Sequence, residues 1–349
     1  MKLEKLEALR GFAAFYVVLH HTLPNELLRL FGYDFNFLLR FGQEAVILFF
    51  LLSGFVINYS YQVGQDKSFR GYFQKRVLRI YVPLVIVFFV SYFLVSYNAG
   101  KLTDPSIVNL LQNIFMLQDW DKVKPNVLAA PYMGNTPLWS LSYEWWFYMM
   151  YFPIVYFIKS TNTRHCVVYG AVLVATICYT FYPTFVPRLF AYLGIWWTGV
   201  YLSDLYRRNK LTNYYCLILP IAGLFAPSCI LLFEVLVQKR EGVDLLLGFH
   251  PVLEFRHYCF AMVVMIASVV WMRFSWIGFN ALFRPFLIFS PISYVMYISH
   301  IPLMKDATYL DFIGNDIVRW LAYFAFMLLF SWIVEISIYT KIRKLVVSR

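Results

Sequence analysis

Apolar side chains run along this chain in blocks of roughly 20 residues, each long enough to cross the hydrocarbon layer of a bilayer as a helix, and short polar segments separate them. The blocks predict about ten membrane-spanning helices, near residues 8–24, 43–61, 78–97, 138–158, 166–182, 186–203, 214–235, 257–274, 285–303 and 318–340. An even number of spans places both termini on one side of the membrane. The N-terminal stretch MKLEKLEALRGF has the basic start of a signal peptide, yet its apolar run ends in HHTLPNELL with no small-residue cleavage site, so it reads as a retained first span. With no Ser/Gly-rich linker, low-complexity tract or long polar block, residues 1–349 read as a single integral-membrane domain, an all-α polytopic bundle.

Composition agrees with the pattern. Of the 349 residues, 61% are hydrophobic, 21% aromatic and only 14% charged, and the mean hydropathy is +0.62; a soluble domain carries about a quarter charged residues. The net charge of +11 is spread over short segments between apolar runs, which argues against nucleic acid as a partner and for a role in orientation. KSFRGYFQKRVLR, YRRNK and KIRKLVVSR all fall on the face that holds the N-terminus, so that face, with both termini, is expected to be cytoplasmic. Asp104, Asp119, Asp121, Glu241, Asp244, Glu254, Asp306, Asp311 and Asp316 fall on the other. The five cysteines are odd in number, lie in or beside apolar runs and include no C-x-x-C pair, so neither disulfides nor a metal site are expected.

Charged or titratable groups within spans cost a few kcal/mol in lipid and usually face a polar interior. Arg10 and His21 lie almost three whole turns apart, on one face of a helix and roughly 16 Å apart along its axis. His20 falls off that face. A histidine suits proton transfer near neutrality, and a carboxylate on its second ring nitrogen would fix its tautomer. Glu144, in TPLWSLSYEWWFYMMYF, shares a face with Ser140 and Tyr148 and approaches the same membrane side as His21, so a His21–Glu144 pair is topologically open. The rival readings are a histidine that ends a helix at the headgroups and a carboxylate snorkelling from an aromatic belt. Arg76 and Arg79 stand at i and i+3 at the inner entrance of the third span, placed either to hold phosphate oxygens or to anchor the helix on anionic lipid. Ser53 and Gly54, in SGFVI, suit close helix packing better than ligand binding. Trp139, Trp145 and Trp146 suit either sugar stacking or the interface, and residues 98–137 either a lid or a plain connection.

Arg10 with ten intervening residues before His21, then SGFVI, then Phe73, Arg76, Arg79, Ile80 and Pro83, then LWSLSYEWWFY, then SPISYVMYISHIPL: the series resembles the membrane-bound acyltransferase 3 family from residue 5 to about 303. The resemblance implies an enzyme that moves an acyl group, most often acetyl from acetyl-CoA as co-substrate, to a hydroxyl of a carbohydrate or lipid-linked saccharide at a bacterial inner membrane, with polysaccharide-assembly proteins as possible partners. It implies His21 as general base or transient acyl carrier, Glu144 as the acidic motif, and Arg10, Arg76 and Arg79 as donor-binding residues. Two departures stand out. Glu335 is followed by Ile336 and Ser337 where many relatives have a nearby proline, and the fused hydrolase-like domain of many relatives is absent from these residues. The latter leads to the expectation that the 349 residues act alone or with a separate partner. Other classes remain open: a lipid-linked saccharide flippase, although no internal repeat supports it, and a non-catalytic partner of an assembly machine.

Overall fold

The computed structural model describes residues 3–24, 28–30 and 33–347. The last two residues of the basic tail, 348 and 349, and part of the connection after the first span, 25–27 and 31–32, lie outside them. The chain is helical almost throughout. In order come α1 (Glu4–Thr22), α2 (Gly42–Val63), α3 (Phe69–Asn98), α4 (Ile107–Ile114), α5 (Leu138–Phe157), α6 (Thr161–Phe181), α7 (Phe185–Arg207), α8 (Tyr214–Arg240) and α9 (Val252–Arg273). The short α10 (Phe279–Leu282), α11 (Ser293–His300), α12 (Asp316–Trp332) and α13 (Thr340–Val347) complete the series. A two-residue ladder pairs Arg29–Leu30 with Tyr33–Asp34 and does not change the all-α class.

Six helical stretches, Asn36–Val63, Phe69–Asn98, Thr161–Phe181, Tyr214–Arg240, Val252–Arg273 and Asp316–Val346, are long and apolar enough to cross a membrane, so this is a multi-pass membrane protein. They present apolar side chains outward, for example Val85, Phe89 and Phe93 along one face of α3. Polar capping fixes where several of them begin: Ser68 accepts from Gly71 N, and Asn315 accepts from the amides of Ile317 and Val318. The other expected spans fall on α1, α5, α7 and the stretch 284–305, and for α5 and α7 enclosure explains the lower hydropathy. Every residue from Leu193 to Val200 in α7, and from Leu138 to Tyr143 in α5, is buried. Helices surrounded by protein need not be aliphatic, and these carry the tryptophans, tyrosines and charges.

α2 and α7 cross in contact at Gly54 and Gly199. A Cβ at Gly54 would collide with the Trp196 carbonyl, and one at Gly199 with the Leu51 carbonyl, so the small residue of SGFVI serves close packing, as its sequence context suggests. The expected ninth span is not one α-helix. It runs as 3₁₀ segments Arg284–Ile288 and Ser290–Ile292, then α11, then a π-helical stretch Ile301–Lys305. Pro285, Pro291 and Pro302 each stand within the first two positions of one of these non-α segments, where a missing N–H interrupts the i→i−4 ladder. A second π-helical stretch, Ile333–Tyr339, joins α12 to α13 and carries Glu335.

Candidate active site

The start of α1, the end of α2, the start of α3 and α13 surround a cavity of about 680 Å³, within the roughly 300–1,000 Å³ typical of small-molecule and cofactor sites. Its walls carry Arg10, Lys75, Arg76, Arg79 and Arg343, against Glu7 and Glu144. Two of the basic segments that the sequence assigns to one membrane face, KSFRGYFQKRVLR and KIRKLVVSR, thus meet around a single space.

The arginines differ in how far they are committed. Arg79 pairs with Glu335 from the π-helical stretch, and its guanidinium lies 5.4 Å from the Tyr294 ring centroid and 5.5 Å from that of Tyr339. Arg10 donates to Ser290 Oγ at 3.0 Å. Arg76 stacks on Tyr72 at 4.3 Å from the ring centroid. Among the described residues Arg10 Nε and Arg76 Nε are buried without a hydrogen-bond partner. Buried donors of this kind are costly to leave unmatched, and an anionic ligand would match them.

Glu144, six residues into α5, sits where this cavity narrows. It accepts from Ser53 Oγ at 2.8 Å and from the Tyr148 hydroxyl, and Trp196 Nε1 donates to Ser53 at 3.2 Å. Beyond the neck a smaller cavity of about 120 Å³ shares Arg10, Phe49, Arg79, Glu144 and Tyr148 with the larger one and ends on Ser140, Tyr294 and Tyr297. Four of the five residues singled out in the sequence, Arg10, Arg76, Arg79 and Glu144, therefore line one space.

His21 does not. Here the structure departs from the expected His21–Glu144 pair: Glu144 is engaged by Ser53 and Tyr148, and the partner of His21 is His300, with His21 Nδ1 and His300 Nε2 3.0 Å apart. The reason is position along the bundle: Glu144, about 9 Å along α5 from its start, meets Ser53 in the middle of α2, whereas His21 lies beside His20, whose ring covers Gly42 at the start of α2. His300 Nδ1 is 2.7 Å from the carbonyl oxygen of Tyr297, the residue whose side chain closes the small cavity. His20 points elsewhere, its Nδ1 against the Leu39 carbonyl and its ring over Gly42.

The sequence carries His300 within SPISYVMYISHIPL without a role, gives Glu335 none, and holds Lys75 and Arg343 within basic runs. Nor does it show a second buried polar cluster, on the opposite side of the bundle. The connection 98–137 packs there as a fixed layer, with Trp146 Nε1 donating to the Met116 carbonyl at 2.9 Å and Asn135 Nδ2 to that of Ile298 at 2.8 Å. At its centre Asp119 accepts from Lys124 at 2.9 Å, from Arg188 at 2.8 Å and from the Tyr143 hydroxyl at 2.5 Å. Burial works against the charge of Asp119, but Lys124 and Arg188 outweigh it and hold the carboxyl below its usual pKa. Burial likewise lowers Lys124, only partly offset by Asp119, to about 8. At the rim, burial disfavours the charge of His250, yet Glu234 and Glu254 overcome it and raise the pKa to about 9.

A helical membrane protein with a cation-walled cavity at one end and a histidine pair toward the other defines the class. The family described as an acyltransferase domain, acyltransferase 3, matches residues 3–336, and the chain belongs to that family. Acyltransferase MdmB of Streptomyces mycarofaciens is 33% identical over 162 residues, which cover 45% of this chain and 40% of that protein, so the alignment spans well under half of the relative. No solved structure matches.

Proposed function

We propose that the protein moves an acetyl group from cytoplasmic acetyl-CoA to a hydroxyl of a cell-surface or lipid-linked saccharide, as a ten-span protein of a bacterial plasma membrane with both termini inside. The cation-walled cavity carries this reading. Its size suits a cofactor-like donor, and its excess of Arg and Lys matches the phosphates of a CoA nucleotide. Arg76, with no ion pair of its own among the described residues, leads the phosphate contacts, with Arg10, Lys75 and Arg343 beside it. Arg79 contributes the donors that its bond to Glu335 leaves over.

The pantetheine arm would pass the neck at Glu144 and Tyr148 into the small cavity, carrying the thioester toward Tyr297. Glu144 holds Ser53 and Tyr148 in place along that route. His21 would then take the proton of the acceptor hydroxyl as the oxygen attacks the thioester carbonyl and CoA leaves as thiolate; alternatively its ring accepts the acyl group and passes it on. Polysaccharide-assembly proteins are natural suppliers of the acceptor.

The test uses inverted membrane vesicles that contain the protein, given radiolabelled acetyl-CoA, with label counted in the saccharide fraction. Wild type should transfer label and the H21A variant should not. Saccharide translocation without label transfer would replace this reading with that of a flippase, and undiminished transfer by H21A would remove His21 from the chemistry.

A further inference from the structure

We propose that His300 is the positioning residue of His21, setting its tautomer and aiming its second nitrogen at the acceptor hydroxyl; this rests on the reading of His21 as base. A carbonyl oxygen only accepts, so the contact of His300 Nδ1 with the Tyr297 carbonyl at 2.7 Å puts the proton of a neutral His300 on Nδ1. Its Nε2 is then a bare acceptor. His21 Nδ1, 3.0 Å away, must donate to it, which leaves His21 Nε2 unprotonated and free to act as base. A backbone carbonyl and a neutral imidazole thus perform the orienting task that a carboxylate performs in a triad.

The placement of His300 is built in from several sides. It is fully buried, and the two rings lie nearly parallel, 25° apart with centroids at 5.1 Å. The Tyr297 hydroxyl donates to the Pro137 carbonyl at 3.0 Å and sits 2.7 Å from Ser140 Oγ, while Asn135 holds the Ile298 carbonyl, so the turn of α11 just before His300 is fastened to the start of α5 and the residues leading into it. The π-helical turn begins at the next residue, Ile301; such turns are rare and widen the backbone locally, often at functional sites. Tyr297 serves both spaces, its ring closing the small cavity and its carbonyl holding His300, so the end of the donor path and the base are tied through one residue.

The vesicle assay, with acetyl-CoA varied and protein quantified, tests this with H300L and H300Q. Gln presents an amide oxygen near the position of Nε2 and can accept from His21; Leu cannot. H300L should lose about 100-fold or more in kcat with KM for acetyl-CoA unchanged, the range of a misaligned general base, and H300Q should recover at least about 10-fold of that loss. A merely structural role would not give rescue by an acceptor of different shape. H300L at wild-type kcat, or H300Q as inactive as H300L, overturns the proposal. If H21A is fully active, the base reading itself has failed; if H21A is inactive and H300L is not, only the positioning role has.

Discussion

Two polar regions, one buried and one lining an open cavity, lie at opposite ends of this molecule and use the same residue types to different effect. In the buried cluster Asp119 receives Lys124, Arg188 and Tyr143, Arg188 also donates to the Pro125 carbonyl at 2.8 Å, and Lys124 lies 3.6 Å from the Trp139 ring centroid. Charge is matched within the protein there, although among the described residues Arg188 Nη2 has no hydrogen-bond partner beyond its ion pair with Asp119. Around the larger cavity Arg10, Lys75, Arg76, Arg79 and Arg343 face two carboxylates, Glu7 and Glu144, with Glu335 behind Arg79. Self-matched charge is architecture, and charge left over beside a cavity is a place for an anion.

The largest effect that separates the two is expected from R188L. It strands Asp119 beside Lys124 in a closed interior, a loss of about 3–5 kcal/mol, so folded yield in detergent, read by size-exclusion chromatography, should collapse. R76A should instead leave yield and melting temperature unchanged while raising KM for acetyl-CoA about 10–100-fold, the equivalent of one lost charged phosphate contact. If R76A unfolds the protein, or R188L folds normally, the contrast between the ends is wrong.

Next comes pH. His250 is raised from 6.5 to about 9 in the fold, so its contribution is complete below pH 6.5 and declines as pH rises toward 9. Lys124 is lowered from 10.5 to about 8, so above pH 8 its easier deprotonation in the fold works the other way. The clean window is pH 6.5 to 8, where the apparent melting temperature in detergent should fall by the equivalent of about 2 kcal/mol. H250Q should flatten that slope. The smallest effect is expected from R343A, which removes one cation from the rim of a cavity that keeps four: a few-fold rise in KM for acetyl-CoA with no change in melting temperature.

Spacing along single helices explains why much of the cavity site is legible in sequence. Arg76 and Arg79 share a face of α3, and Ser140, Glu144 and Tyr148 share a face of α5, because i, i+3 and i+4 neighbours stay together on any α-helix. Gly54 is legible as a packing residue for the same local reason. The cluster around Asp119 is not, because the connection that carries Asp119 and Lys124, Arg188 of α7 and the i, i+4 pair His250–Glu254 at α9 are separate elements with no spacing that links one to another. Nor is the pairing of histidines: 279 residues separate His21 from His300.

The sequence by itself determined that this is a helical membrane protein, because blocks of about 20 apolar residues have no other stable setting, and its ordered motifs pointed to the family. Only the tertiary structure decided which charges face each other. Glu144 went to Ser53 and Tyr148, Glu335 to Arg79 and His300 to His21. The physical reason is that helix periodicity fixes a residue's face but not its depth or its neighbour, and both are set by how the helices cross, here at contacts as close as that of Gly54 with Trp196.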